Sequence, residues 1–264
     1  LHLGGGFGRR GALHDWVTQA VLIAKEIPDT PIKLLWSREE DMAHGQYHPI
    51  TRCRLAASWD EKGDIQALHL RLSGQSILQG LFPQNVKDGR DPLVFQGLNR
   101  DGDESAIGYT FPHIRTEHVM RNPHVPPGFW RGVNLNQNTI YLECFLDEVA
   151  HASGQDPLAL RLKLMQQHPK HRAVLQAVAD RVGWGRPAAN IDGLKVHRGL
   201  AQTHGFGSYV AACAEVSVDA QGRLRIHRIV AATDCGVAVN PQQIEAQIEG
   251  SFAYGLSAAL YGIC

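Results

Sequence analysis

Helical and extended rhythms alternate along this chain. Residues 15–26 read as a helix, residues 48–59 and 65–76 as two long strands, and residues 60–64 (Asp-Glu-Lys-Gly-Asp) supply the glycine and carboxylates of a hairpin turn between them. A short apolar lead, Leu1 and Leu3, predicts a strand running into a glycine-rich segment, and residues 31–36 predict another strand. Residues 80–107 are rich in Gly, Pro, Asn and Asp with little periodicity, which predicts a long surface excursion. A strand over 114–120 then leads into the proline-rich stretch 123–128, the expected boundary between two regions, 1–122 and 123–264.

Past that boundary the helical period returns. Residues 139–152 form an amphipathic helix ending at Ser153-Gly154, Asp156-Pro157 caps a second helix reaching about Gln167, and a third covers 172–182. Strands at 209–218 and 224–234 are joined by Asp219-Ala220-Gln221-Gly222, and Asn240-Pro241 opens a long helix through Gln247 and Gly250. Helices and antiparallel hairpins are mixed without an internal repeat, so the expected class is α+β.

Composition narrows the functions. With 264 residues, 44% of them hydrophobic, the chain can bury a sizeable core as one large domain or two ordinary ones. Lys plus Arg and Asp plus Glu both total 26, so no net field draws the protein to nucleic acid or anionic membrane. The uncharged stretch 250–264 is too short to span a bilayer, and its Gly, Ala and Ser suit a closely packed helix. Cys53, Cys144, Cys213, Cys235 and Cys264 show no C-x-x-C pair and no zinc or iron–sulfur spacing, and read as buried or free thiols. His168 and His171, around Pro169-Lys170, lack an acidic partner at metal-site spacing and read as a polar loop. A start without Met and a stop inside an apolar run predict an interior piece of a longer protein, for which a missing signal peptide is uninformative.

The chemistry concentrates in residues 4–10, Gly-Gly-Gly-Phe-Gly-Arg-Arg, between the predicted first strand and first helix. Glycines there leave room for positive φ, for close approach of a ligand and for amides aimed at an oxyanion, while Arg9 and Arg10 add charge at the rim. Gly6, Gly8 and Gly11 also fit the G-x-G-x-x-G spacing of a dinucleotide fold. The acidic residues at the right distance, Glu26 and Asp29, precede the next strand instead of ending it, which counts against a nicotinamide cofactor. A structural turn, a dinucleotide site and a site for another phosphate-bearing cofactor all stay open on the loop alone.

Several further segments occur in order: 34–41, 128–134 (Gly-Phe-Trp-Arg-Gly-Val-Asn), 145–150, 154–161, 234–241 and 247–250. Together with the glycine loop they resemble the molybdopterin-binding large subunit of the xanthine dehydrogenase and aldehyde oxidase family. The doubled arginine and the Phe129-Trp130-Arg131 form resemble the branch holding the isoquinoline 1-oxidoreductase beta subunit and related aldehyde dehydrogenases.

The resemblance implies a molybdenum–molybdopterin cofactor, including its cytosine dinucleotide form, bound through the pterin dithiolene and not by side-chain metal ligands. It assigns Gly6, Phe7, Gly8, Arg131 and Gln247 to the cofactor, and Trp130 and Val133 to the substrate pocket. It implies hydroxylation of an electron-poor carbon of an N-heterocycle, or oxidation of an aldehyde to a carboxylate. A small 2Fe-2S subunit and a cytochrome c are the implied electron partners, in a periplasmic or membrane-associated setting. After Arg131 this chain has Gly132-Val133-Asn134 where the branch commonly has Ser-Val-Gly, so the pocket wall is expected to differ. The family's glutamate base falls beyond Cys264 and a pterin loop falls before Leu1, so this chain by itself is expected to be inactive. A nicotinamide oxidoreductase and a non-catalytic relic domain are the rival readings.

Overall fold

The computed structural model describes residues 4–99 and 106–262. The predicted strand at Leu1–Leu3 and the terminal Cys264 lie outside the described residues. The chain divides into two compact units, and it passes between them more than once. The first comprises Leu1–Ser58, Ile65–Leu98 and His113–Tyr141, and the second Trp59–Asp64, Asn99–Pro112 and Leu142–Cys264.

In the first unit, α1 (Arg9–Ala12) follows the glycine loop directly, and α2 (Asp15–Glu26) follows α1. α3 (Arg38–Ala43) begins at Ser37, whose hydroxyl accepts the Glu40 amide at 3.1 Å in a regular N-cap. β1 (Thr51–Trp59), β2 (Ile65–Gly74) and, after a short α4 (Ile77–Leu81) and two 3₁₀ turns, β3 (His113–Met120) form a three-stranded sheet in that order. β3 pairs with β2 in parallel, from Ala67 opposite His113 to Gly74 opposite Met120. Leu68, Leu70 and Leu72 alternate along β2 onto a buried face, and Ile77, Val94 and Leu98 are buried in the same unit.

Residues 31–37 alternate in exposure as a strand does, but they find no strand partner and form no ladder. The strand expected at 31–36 is therefore an extended segment, held in part by Trp36 Nε1 donating to Gln19 Oε1 at 3.0 Å.

α5 (Leu135–Ala152) is shared between the units and begins four residues earlier than its apolar period indicated, its first turn being Leu-Asn-Gln-Asn. In the second unit Asp156 caps α6 (Pro157–Leu164), accepting the Ala159 amide at 2.9 Å. α7 (Pro169–Val182) buries His171, Val174, Leu175, Val178, Ala179 and Val182, a stripe at helical spacing, and ends on Gly183 in the left-handed region. It packs on an antiparallel sheet, β4 (His197–Gly205), β5 (Ser208–Val218) and β6 (Leu224–Asp234). α8 (Pro241–Tyr261) starts with Asn240 accepting the Gln243 amide at 3.2 Å and buries none of its residues.

His168 and His171 are not in a polar loop, since Pro169 occupies the first position of α7 and both rings are buried. Thr110 Oγ1 lies 2.9 Å from His168 Nε2 and Gln202 Oε1 lies 2.7 Å from His171 Nδ1, which satisfies them inside the unit.

Candidate functional site

Two loops of the first unit meet at Gly8. Gly8 and Trp130 form an isolated antiparallel bridge, and a Cβ on Gly8 would fall 2.1 Å from the Phe129 carbonyl oxygen. With φ at +121°, residue 8 has neither the space nor the backbone angle for a side chain. The approach that the missing Cβ permits is thus to a second loop of the same chain, not to a pyrophosphate, which removes the reason to read Gly6, Gly8 and Gly11 as a dinucleotide fingerprint.

Phe7 is also left-handed, at φ +50°, and its half-exposed ring lies over Gly5. The Arg131 guanidinium sits 5.9 Å from the centre of that ring, within cation–π range. The sequence-assigned Phe7, Gly8, Trp130 and Arg131 are therefore brought to one place by two segments more than a hundred residues apart.

The 128–134 loop is fixed from behind. The Gly128 amide donates to the Tyr47 carbonyl at 2.8 Å and the Tyr47 amide to the Pro126 carbonyl at 3.1 Å, while Gln46 fills the space a Gly128 side chain would need. Buried Asn134 donates through Nδ2 to the Leu93 carbonyl at 2.8 Å and receives Gln137 Nε2 at 2.7 Å. Asn138 Nδ2 reaches the Val94 and Gln96 carbonyls at 2.9 and 2.8 Å.

Between these anchors Val133 stands at φ +51°, a costly angle for a β-branched residue. Its carbonyl lies 3.0 Å from His48 Nε2, and the His48 ring meets the Trp130 indole edge-on at 5.6 Å. Sequence reasoning missed His48, Gln46 and Tyr47, because nothing in their spacing marks residues that act on a loop eighty positions away.

Beside the glycine loop opens a cleft of about 470 Å³, lined by Gly6, Arg9, Arg10, Trp16, Trp36 and Arg38 among others. Its wall is partly cationic and partly aromatic. Gln247 belongs to the second unit, exposed on α8.

No group of three or more His, Cys, Asp or Glu side chains that could hold a metal ion occurs among the described residues. Burial pushes the Cys53 thiol up to about 11 and raises those of Cys144 and Cys213, so these three stay protonated and poorly nucleophilic at neutral pH. No described helix is long and apolar enough to cross a membrane.

Two glycine-bearing loops that meet backbone to backbone, with arginines beside them, form the candidate site on an α+β scaffold. The chain belongs to the molybdopterin cofactor-binding domain family, matching one domain of that description over residues 1–165 and a second over 149–262. It is 32% identical to the isoquinoline 1-oxidoreductase subunit beta of Brevundimonas diminuta over 98% of its own length, and 26% identical to a membrane-bound aldehyde dehydrogenase of Gluconacetobacter polyoxogenes over the same share. It spans about a third of the length of these relatives, 33% and 36% respectively. Among solved structures it is similar to quinoline 2-oxidoreductase from Pseudomonas putida 86, at TM-score 0.57 and 18% identity, over 85% of this chain and 32% of that one. At that identity the likeness bears on fold, which is the mixed helix-and-sheet fold of such subunits.

Proposed function

We propose that the protein containing this chain is a molybdenum-cofactor hydroxylase acting on N-heterocycles, or on aldehydes to give carboxylates. The observation that carries the reading is the match of the chain to two molybdopterin cofactor-binding domains, with the assigned Phe7, Gly8, Trp130 and Arg131 brought together at the Gly8 junction. That arrangement fits a cofactor rich in oxygen and held by amides.

In this reading the backbone of Gly6, Phe7 and Gly8 faces the cofactor's anionic oxygens, Arg131 supplies positive charge beside Phe7, and Gln247 offers an amide that both donates and accepts to a pterin ring. The bound cofactor supplies a two-electron oxidation with oxygen drawn from water. Trp130 and Val133 line the substrate pocket, where an indole face favours planar heteroaromatic rings. The two-electron oxidation also calls for single-electron carriers outside this chain, namely a small 2Fe-2S subunit with a cytochrome c beyond it. The segments 1–122 and 123–264 are the corresponding pieces of the cofactor cradle.

Molybdenum and pterin analysis of the full-length protein tests the class, with near one-to-one loading expected and a metal-free, folded protein supporting the relic reading instead. Steady-state assays with a dye acceptor then compare isoquinoline and quinoline with aliphatic and aromatic aldehydes. Higher kcat/KM for the bicyclic heterocycles is expected, and higher values for every aldehyde would overturn the heterocycle assignment alone.

A further inference from the structure

Arg9, the residue directly after Gly8, is held far more tightly than a rim arginine needs to be. Its Nη1 and Nη2 donate to the two carboxylate oxygens of Asp15 at 2.9 and 2.7 Å, and Nη2 also reaches the His44 carbonyl at 3.3 Å. The guanidinium lies 5.2 Å from the ring centres of both Trp16 and Trp36, so two indoles flank it. The side chain is 18% exposed, whereas Arg10 beside it is exposed. Its own backbone closes the turn that follows the loop, the Arg9 carbonyl accepting the Leu13 amide at 2.8 Å and the Gly8 carbonyl accepting the Gly11 amide at 3.0 Å. One planar cation thus joins α1 to the start of α2, to the extended segment at Trp36 and to the end of α3.

We propose that Arg9 is a positioning residue for the cofactor loop: clamped by Asp15, Trp16, Trp36 and the His44 carbonyl, it fixes the turn after Gly8 and thereby the backbone of Phe7 and Gly8. This rests on the assignment of those two residues to the cofactor. A planar fork that pairs bidentately between two indole rings has no substitute in lysine, whose ammonium is a compact point charge. Charge at the rim alone would be kept by lysine, so Arg9→Lys separates the two roles.

Arg9→Lys and Arg9→Met are made in the full-length protein and in the 264-residue chain. In the cofactor-free chain both are expected to speed amide exchange at residues 8–13 by about tenfold, a factor in keeping with losing a bidentate cation flanked by two indoles, and to leave β4, β5 and β6 unchanged. In the full-length protein both are expected to lower molybdenum content about fivefold or more, and to lower kcat per bound molybdenum with KM unchanged. Normal molybdenum content in either variant overturns the proposal, including when exchange at 8–13 accelerates, because the clamp would then serve only the local fold. Full loading by Arg9→Lys with loss in Arg9→Met would show that charge, not the clamp, is what matters. If the unaltered full-length protein carries no molybdenum, the functional reading fails, and the proposal falls with it whatever the exchange at residues 8–13 shows.

Discussion

The Arg161 cluster of the second unit buries its charges and pairs them, whereas the Gly8 junction of the first carries bulky residues, Phe7 and Val133, in the left-handed region. Around Arg161, which is fully buried, Nε donates to Glu143 Oε2 at 2.9 Å, Nη1 to Asp147 Oδ1 at 2.6 Å and Nη2 to the Glu143 carbonyl at 2.8 Å. Tyr109 completes the set by donating to Glu143 Oε1 at 2.6 Å. Burial pushes the Glu143 carboxyl up against the pull of Arg161, and burial together with the Glu143 charge holds the Tyr109 phenol well above its ordinary value. Arg161, Glu143 and Tyr109 face protein, and only the Asp147 carboxylate reaches solvent.

At the Gly8 junction the pattern is reversed. Phe7 and Val133 stand at φ +50° and +51°, and Phe7 is 47% exposed. Left-handed backbone at a bulky residue costs stability and persists only where the surrounding structure holds it.

The sharpest way to break this contrast is to remove the buried cation. Arg161→Met leaves the buried Glu143 carboxylate without its cation, and urea unfolding of the chain is expected to show a loss of about 3–5 kcal/mol. A loss below about 1 kcal/mol, the range of an exposed ion pair, would mean that the network is not structural.

Relief of strain should give the opposite sign. Val133→Gly removes a β-branched residue from the left-handed region at some cost in unfolded-state entropy, for a net gain of about 0.5–1 kcal/mol by the same measurement. A destabilised variant would show that Val133 is held by packing and not under strain.

A smaller, pH-dependent effect concerns Glu215. Burial pushes its carboxyl up, but hydrogen bonds and charge from Arg198 and Arg228 outweigh burial and leave it below the ordinary 4.5. A carboxyl with a lower pKa folded than unfolded adds stability above its unfolded value and loses it as pH falls through its folded value. The difference in urea midpoint between the unaltered chain and Glu215→Gln should accordingly be greatest near neutral pH and close as pH falls below about 4. A difference that stays constant with pH would contradict the pairing.

How much of this the sequence discloses depends on where the information is stored. Capped helices were legible, since Asp156-Pro157 and Asn240-Pro241 each carry the start signal in adjacent residues. β4 was not, because its inward positions are Leu200, Gln202 and His204, and two polar residues facing the interior erase the period-two signal. The same polar interior misled the reading of His168 and His171. At the site, Gly8 and the 128–134 loop were visible as motifs, but their meeting was not. Contacts such as Gly8 with Trp130 and His48 with Val133 have no local signature; family likeness alone grouped Gly8, Trp130 and Val133, and nothing pointed to His48.

The central claim is that the Gly8 junction serves the cofactor and not the fold of the rest of the chain. Gly8→Val in the full-length protein tests it, with molybdenum per protein measured beside the circular dichroism spectrum. A Cβ placed 2.1 Å from the Phe129 carbonyl must push the two loops apart, so molybdenum content is expected to fall to near zero while the spectrum is retained. Unchanged molybdenum content in a folded Gly8→Val protein would contradict the account.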